Sequence, residues 1–479
     1  MKRYKRIYIL LGVLAAACVV TFGVSQYQER QELIRNSGEV FLEIPSDTVQ
    51  ALSWEYGETS LAFHRDEVWL YDEDEAFPVD EEKIEALLSP FASFAAAFVI
   101  EEVEDFGQYG LDDPVCSIHL TTEEETYDIL LGDYSTMDSQ RYLSIGDGNV
   151  YLVENDPMDD FSLVLSDMID NDDIPVFDTV ERIAFSGPDT YEVSYEEEGG
   201  ESYREEDVYF TELDGEVLPL DTDKVDGYLQ DIRLMDLGTY VTYNATEEEI
   251  AACGLDDPEL TVTVDYADED EEGNAVSGTF VLHISRDPEE LAAAEESETA
   301  EDSEDTAGED AAAEEEEEIT AYARIGDSPI LYQLAGADYE ALMAASRDDL
   351  RHSEVLPADA ADITQLAIVL DGETYTITSL TDGEERSYYY QEEFLDMTNI
   401  QSALTALTAD SFTRESPTEA EEIALTLTLD REGDPTVDIA LYRWDGTYCL
   451  AEIDGEPVSL VERSLVVDLV EAVNAVVLG

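Results

Sequence analysis

Four histidines, His64, His119, His283 and His352, are the side chains in this sequence best suited to acid–base work or to ligating a transition metal. None stands at metal-ligand spacing from another. His119 and His283 fall in strand-like alternations, where a satisfied or solvent-facing ring is the simpler expectation. The segment Asp268-Glu269-Asp270-Glu271-Glu272-Gly273 opens like a calcium loop, but Thr279 occupies the closing position that a bidentate glutamate must fill. No Gly-x-Ser-x-Gly elbow and no phosphate-cradling glycine loop occurs. With 118 acidic residues, carboxylate pairs arise at every spacing by chance, so acid–base logic built on them selects nothing. Catalytic residues, cofactor-binding residues and metal ligands are therefore expected to number none, and a non-enzymatic role follows.

The same acidity excludes one large class of partner. Against 118 acidic residues stand 22 basic ones, a net charge of −96 in 479 residues. Phosphate contacts need a Lys/Arg surface, so nucleic-acid binding is excluded. Weak divalent cations or basic partners suit such a field, and a solvated surface explains most of it. Cysteines 18, 116, 253 and 449 are too far apart for a zinc or redox motif, and the last three are expected as packed small hydrophobes.

What positions this body is an anchor followed by repeats. Lys2, Arg3, Lys5 and Arg6 precede an uncharged apolar run from Ile7 to Val24, a length that as a helix approaches the bilayer thickness. Basic residues before it and acidic chain after it predict a cytoplasmic N-terminus and an exported body. A cleaved signal peptide, or a lipoprotein site at Cys18 after Ala15-Ala16-Ala17, competes with that reading. Val19, Val20, Phe22 and Val24 extend the apolar run past Cys18 and favour an uncleaved single-pass anchor.

Two long segments then answer each other. Asp47-Thr48-Val49 and Asp178-Thr179-Val180 each open an alternating strand. Val68-Trp69-Leu70 and Val208-Tyr209-Phe210 supply an aromatic strand. Asp80 and Asp221 sit at the N-cap of helical patterns carrying Ile84, Leu87, Leu88 and Phe91, and Val225, Tyr228, Leu229 and Ile232. Pro90 leaves the far end of the first helix open. Gly110-Leu111-Asp112-Asp113-Pro114 and Gly254-Leu255-Asp256-Asp257-Pro258 read as turns that launch further strands. A weaker third copy starts at Ile363–Leu370, passes Tyr388-Tyr389-Tyr390, and places Asp396 before Ile400, Ala403, Leu404 and Leu407. It lacks the glycine–proline string and closes on a helix from about Ser464 to Val477. The expected organisation is a cytoplasmic tail (1–6), a transmembrane anchor (7–26) and α+β modules over 40–172, 173–350 and 358–479. Each module is mainly antiparallel sheet with a packed amphipathic helix. The second carries an acidic insertion near 288–318, whose composition predicts disorder.

The anchor, the aspartate-capped helix, and Tyr109-Gly110-Leu111-Asp112-Asp113-Pro114 followed by Gly146-Asp147 resemble the bacterial family catalogued as domain of unknown function 4340. The second copy departs from the motif with Cys253 in place of the tyrosine. The resemblance implies a membrane-anchored exported protein, often encoded beside ABC transporter genes, with a transporter permease as the partner. It carries no catalytic residues over. The function it implies is a scaffold or accessory subunit of an ABC-type transport complex; the alternative is a cell-surface binding module for cations, basic peptides or wall polymers.

Overall fold

The alternation that opens each copy becomes a strand bent at the same point. In Val49–Tyr56 the register slips between Val49 and Ala51, in Thr179–Ser186 between Val180 and Arg182, and in Ile363–Leu370 between Ile363 and Gln365. One extra residue in such a bulge lets side chains on both sides of it face the same core. Val49, Leu52 and Trp54 are accordingly all fully buried, as are Ile363, Leu366 and Ile368 to within 1%. A bulge shared at one position makes the third sheet a structural counterpart of the first two, although its sequence has drifted.

The computed structural model describes residues 38–477 apart from 138, 198–201, 270–274, 294–318, 383–384 and 432. In the first sheet the chain enters at the centre with Val49–Tyr56 and walks outward through Thr59–Arg65 and Trp69–Tyr71. It crosses by the helix Glu81–Leu88 to the far-edge strand Phe98–Ile100. It then returns beside the opening strand with Cys116–Thr122 and meanders through Thr126–Ser135 and Gln140–Ser144 to Val150–Val153, which closes on the far edge. The third sheet follows the same path. From Ile363–Leu370 it runs out to Glu393–Leu395, crosses by the helix Thr398–Thr405 to Ala409–Phe412, and returns with Glu421–Leu429 to end on Glu456–Glu462. In the second, Thr179–Ser186 leads out to Glu216–Pro219, the helix Thr222–Leu234 follows, and Leu260–Glu269 returns beside the opening strand. Neighbouring strands in these paths run antiparallel, so the α+β architecture of repeated antiparallel sheets holds.

Each crossing helix is packed by the face its spacing predicts. Ile84, Leu87 and Leu88 are buried in the first, and Val225, Tyr228, Leu229 and Ile232 in the second. Asp80 accepts a hydrogen bond from the Lys83 amide, and Asp221 from the amides of Asp223 and Lys224, so both act as N-caps. Pro90 ends the first helix at Leu88, and a 3₁₀ turn over Ser89–Ser93 keeps Phe91 fully buried. In the third sheet Ile400 and Leu404 share one core with Val466, Leu469 and Val473 of the closing helix Arg463–Val477.

Four expectations need correction or fall outside these residues. The start of the acidic insertion is ordered: residues 288–293 form a helical turn, with the Asp287 carboxylate accepting from the Glu289 and Glu290 amides and Glu290 accepting from Thr320. A cap and a tie to the strand after it supply order that composition alone withheld. Residues 294–318 lie outside the described residues, as do the expected tail and anchor over 1–26. Among the described residues no helix is long and apolar enough to cross a membrane. The aromatic strands begin one residue late, at Trp69 and Tyr209, leaving Val68 exposed outside the ladder.

By compactness the chain divides into two units. One comprises residues to Asp173 with Leu237–Glu248 and Ser328–Gln333; the other comprises Ile174–Asp236, Glu249–Asp327 and Leu334–Gly479. The strand pair Tyr240–Thr242 and Leu331–Leu334 falls essentially in the first. With so few bases available, tyrosines take over as neutral donors to carboxylates: Tyr332 to Asp172, Tyr243 to Asp74, Tyr151 to Asp147, Tyr209 to Asp226 and Tyr203 to Asp454. The cost shows in their acidity. Burial and the Asp454 bond push the Tyr203 hydroxyl up to about 12.

Candidate functional site

Within the second unit, two groups of charged side chains gather where the second sheet meets the third. The first lines a cleft of about 450 Å³ and holds Arg347, Arg351 and Arg414, three of only 22 basic residues in the chain. Arg347 lies over the Tyr191 ring at 4.8 Å, with one guanidinium nitrogen 3.7 Å from Asp189. Arg351 covers Phe412 at 3.9 Å and donates to Asp348 at 3.3 Å. Burial, opposed by Asp348, lowers the pKa of Arg351. Arg414 reaches across to Asp214 at 2.8 Å. Each arginine already has a carboxylate neighbour, and Glu216 and Glu456 line the same cleft. A mixed lining of this kind ties the two sheets together and offers little to a free anion.

The second group centres on His352. Its Nε2 lies 2.9 Å from Oδ1 of Asp207, a carboxylate only 1% exposed whose other oxygen accepts from the Ser202 hydroxyl. Its Nδ1 lies 3.6 Å from Oδ2 of Asp221 and 4.0 Å from Oε2 of Glu354. Local structure explains the convergence. His352 and Glu354 flank Ser353 in an extended segment whose backbone is tied to Leu407, Thr408 and Ala409; residues two apart in such a segment share a side. Asp221 spends Oδ1 on capping the helix Thr222–Leu234, which leaves Oδ2 free to face the imidazole. The capping role assigned from sequence is therefore real and also incomplete.

The first unit carries the corresponding place with different chemistry. The amide of Asp80 donates to the Met168 carbonyl just as that of Asp221 donates to Leu350. Two residues after Met168 stands Asp170, where the second unit has His352. Its carboxyl is held above the usual range by partial burial and then by Asp80, Asp173, Asp172 and Glu81. A raised carboxyl pKa penalises the folded state once pH climbs past the ordinary value, and the penalty vanishes below it. Asp170→Asn is therefore expected to raise the unfolding free energy measured in urea at pH 7 by less than about 1 kcal/mol, because the group is solvent-screened. The gain should fade as pH falls toward about 4; an equal gain at both pH values would assign it to something other than charge.

The remaining histidines stay apart. His64 pairs with Asp72 and His119 with its cross-strand neighbour Asp128, both at 2.7 Å on solvated faces, while His283 contacts Thr261 at 3.0 Å. Burial, aided by Arg324, lowers the pKa of His283. The calcium-like segment is part of a long hairpin in which Glu269 pairs with Ala275, and Thr279 hydrogen-bonds Asp265; residues 270–274 lie outside the described ones. Cys116, Cys253 and Cys449 are buried free thiols, with burial pushing Cys116 up to about 12 and Cys449 to about 11. The tyrosine run packs as sheet: Tyr388 is buried and donates to the Ile363 carbonyl.

Comparison with known proteins adds one match. The family model described as Domain of unknown function (DUF4340) aligns with residues 69–215 and again with 213–427. No curated protein and no solved structure matches.

Proposed function

The chain belongs to the DUF4340 family, and from that membership we propose that it is a membrane-anchored extracytoplasmic scaffold or accessory subunit of an ABC-type transport complex. The observation that carries this reading is repetition without an assembled catalytic group. The first and third sheets follow one strand path and the second shares its opening, crossing helix and return, and among the described residues the histidines and cysteines sit in ladders and cores with structural partners, His352 apart. The basic N-terminus and the apolar run Ile7–Val24 hold the body outside the bilayer with the N-terminus in the cytoplasm. Binding is the work of such a body: broad sheet surfaces and a strong negative field position a partner rather than transform a substrate.

Crosslinking and mass spectrometry on intact membranes, with tagged chain at native expression, is expected to link the sheet modules reproducibly to a transporter permease. Self-links alone would remove this reading and favour a free-standing surface module for cations, basic peptides or wall polymers.

A further inference from the structure

We propose that His352, Asp221 and Glu354 form a binding site for one divalent transition-metal ion of the zinc class, oriented by the buried Asp207. The three donor atoms lie within 4.8 Å of one another. A tetrahedral zinc ion with bonds of about 2.0–2.2 Å sets its ligand atoms roughly 3.4 Å apart. The two distances from Nδ1, 3.6 and 4.0 Å, are already close to that. Side-chain adjustment alone would bring the three donors to the spacing of a three-ligand site.

Three independent features point the same way. Asp207 fixes the ring: with Nε2–H donated to its carboxylate, the Nδ1 lone pair is turned toward two further carboxylates. A carboxylate behind a histidine is the usual outer support of a metal-bound imidazole. An imidazole lone pair facing two anions is also repulsive unless a positive centre lies between them. Next, Oε2 of Glu354 is buried and accepts no hydrogen bond; its other neighbour is the Arg204 Nη2, 3.6 Å away, which donates to the Leu356 carbonyl. Finally, the charges balance. Three carboxylates and one guanidinium leave two negative charges around a neutral ring, which a divalent cation neutralises and a single proton does not.

One imidazole nitrogen beside two carboxylate oxygens suits zinc and its neighbours better than calcium or magnesium, which take oxygen ligands in larger number. Three protein ligands leave a fourth position for water or for a donor from a partner. The ion would also pin the segment that leads into the third sheet to the helix cap of the second, so that its removal loosens that junction.

The test is calorimetric titration of zinc chloride into the full-length chain, stripped with chelator, in physiological salt with excess magnesium and calcium. One ion per chain with low-micromolar or tighter affinity is expected. His352→Gln should weaken it by at least about 100-fold and Asp207→Asn by roughly 10–100-fold, the usual range for an outer-shell carboxylate. Circular dichroism establishes that each variant is folded. Should His352→Gln fail to fold, cobalt(II) added to the wild-type chain decides alone, through visible ligand-field bands that zinc abolishes and magnesium does not. Uptake at many weak sites, swept out by salt or magnesium and equal in wild type and His352→Gln, would overturn the proposal and leave an imidazolium ion pair. So would the absence of cobalt bands.

Discussion

Replacing Trp54 with alanine is expected to destabilise the first unit by about 3–5 kcal/mol, the range for removing a large aromatic from a close-packed core. Trp54 is fully buried in the opening strand, 5.7 Å from Phe63 and 5.5 Å edge-on from Phe161. Against a typical domain stability of roughly 5–15 kcal/mol, that loss is a large fraction of the whole. Trp54→Phe separates packing from polarity. Its indole N–H is buried without a hydrogen-bond partner, so phenylalanine removes an unsatisfied donor while keeping most of the ring, and the cost should stay below about 1.5 kcal/mol. Urea unfolding followed by far-ultraviolet circular dichroism measures both. A loss under about 1 kcal/mol for Trp54→Ala would mean that this ring is not central to the core.

The second large effect concerns the recurring glycine–proline string. Gly110 sits at φ +71° and Gly254 at +72°, a backbone region that side chains resist. Gly57, at φ +60°, has open space around it, so Gly57→Ala isolates the left-handed cost of about 1–2 kcal/mol. A Cβ at Gly110 would in addition stand 2.8 Å from the Asp133 amide nitrogen and 2.7 Å from its carboxyl group. Backbone cannot rotate away as a side-chain tip can, so Gly110→Ala should lose about 1–3 kcal/mol beyond the Gly57 control. Gly254→Ala meets the Ser285 hydroxyl first, at 2.7 Å. A hydroxyl can turn aside, which places this variant between the other two in thermal melts. Equal losses for Gly57→Ala and Gly110→Ala would reduce the string to turn conformation alone.

The same backbone geometry explains why the repeat is readable in the sequence. The string persists in the first two copies because a left-handed turn pressed against the neighbouring strand tolerates only glycine. The third copy dispenses with it, and there the sequence likeness weakens while the strand path does not change. The shared bulge at the start of all three opening strands left no mark in residue type, since it is a matter of pairing between strands more than fifty residues apart. The helices Glu247–Ala252 and Gly336–Met343 left no such mark either: the first buries no residue and the second only Tyr339 and Leu342, so neither shows a repeating apolar face.

By itself the sequence determined the local elements, because apolar spacing and cap chemistry act over a few residues. Asp80 and Asp221 as caps, the buried faces of the two helices they cap, the α+β class and the burial of Cys116, Cys253 and Cys449 were all legible at that range. Only the tertiary structure decided what happens around His352. Its partner Asp207 lies 145 residues earlier in the chain, and among so many carboxylates no spacing rule could single out that one. The free second oxygen of Asp221 became visible only once its first was seen to be occupied by the helix. Long-range convergence depends on how sheets fold back on themselves, and that is settled by pairing and packing rather than by any local pattern.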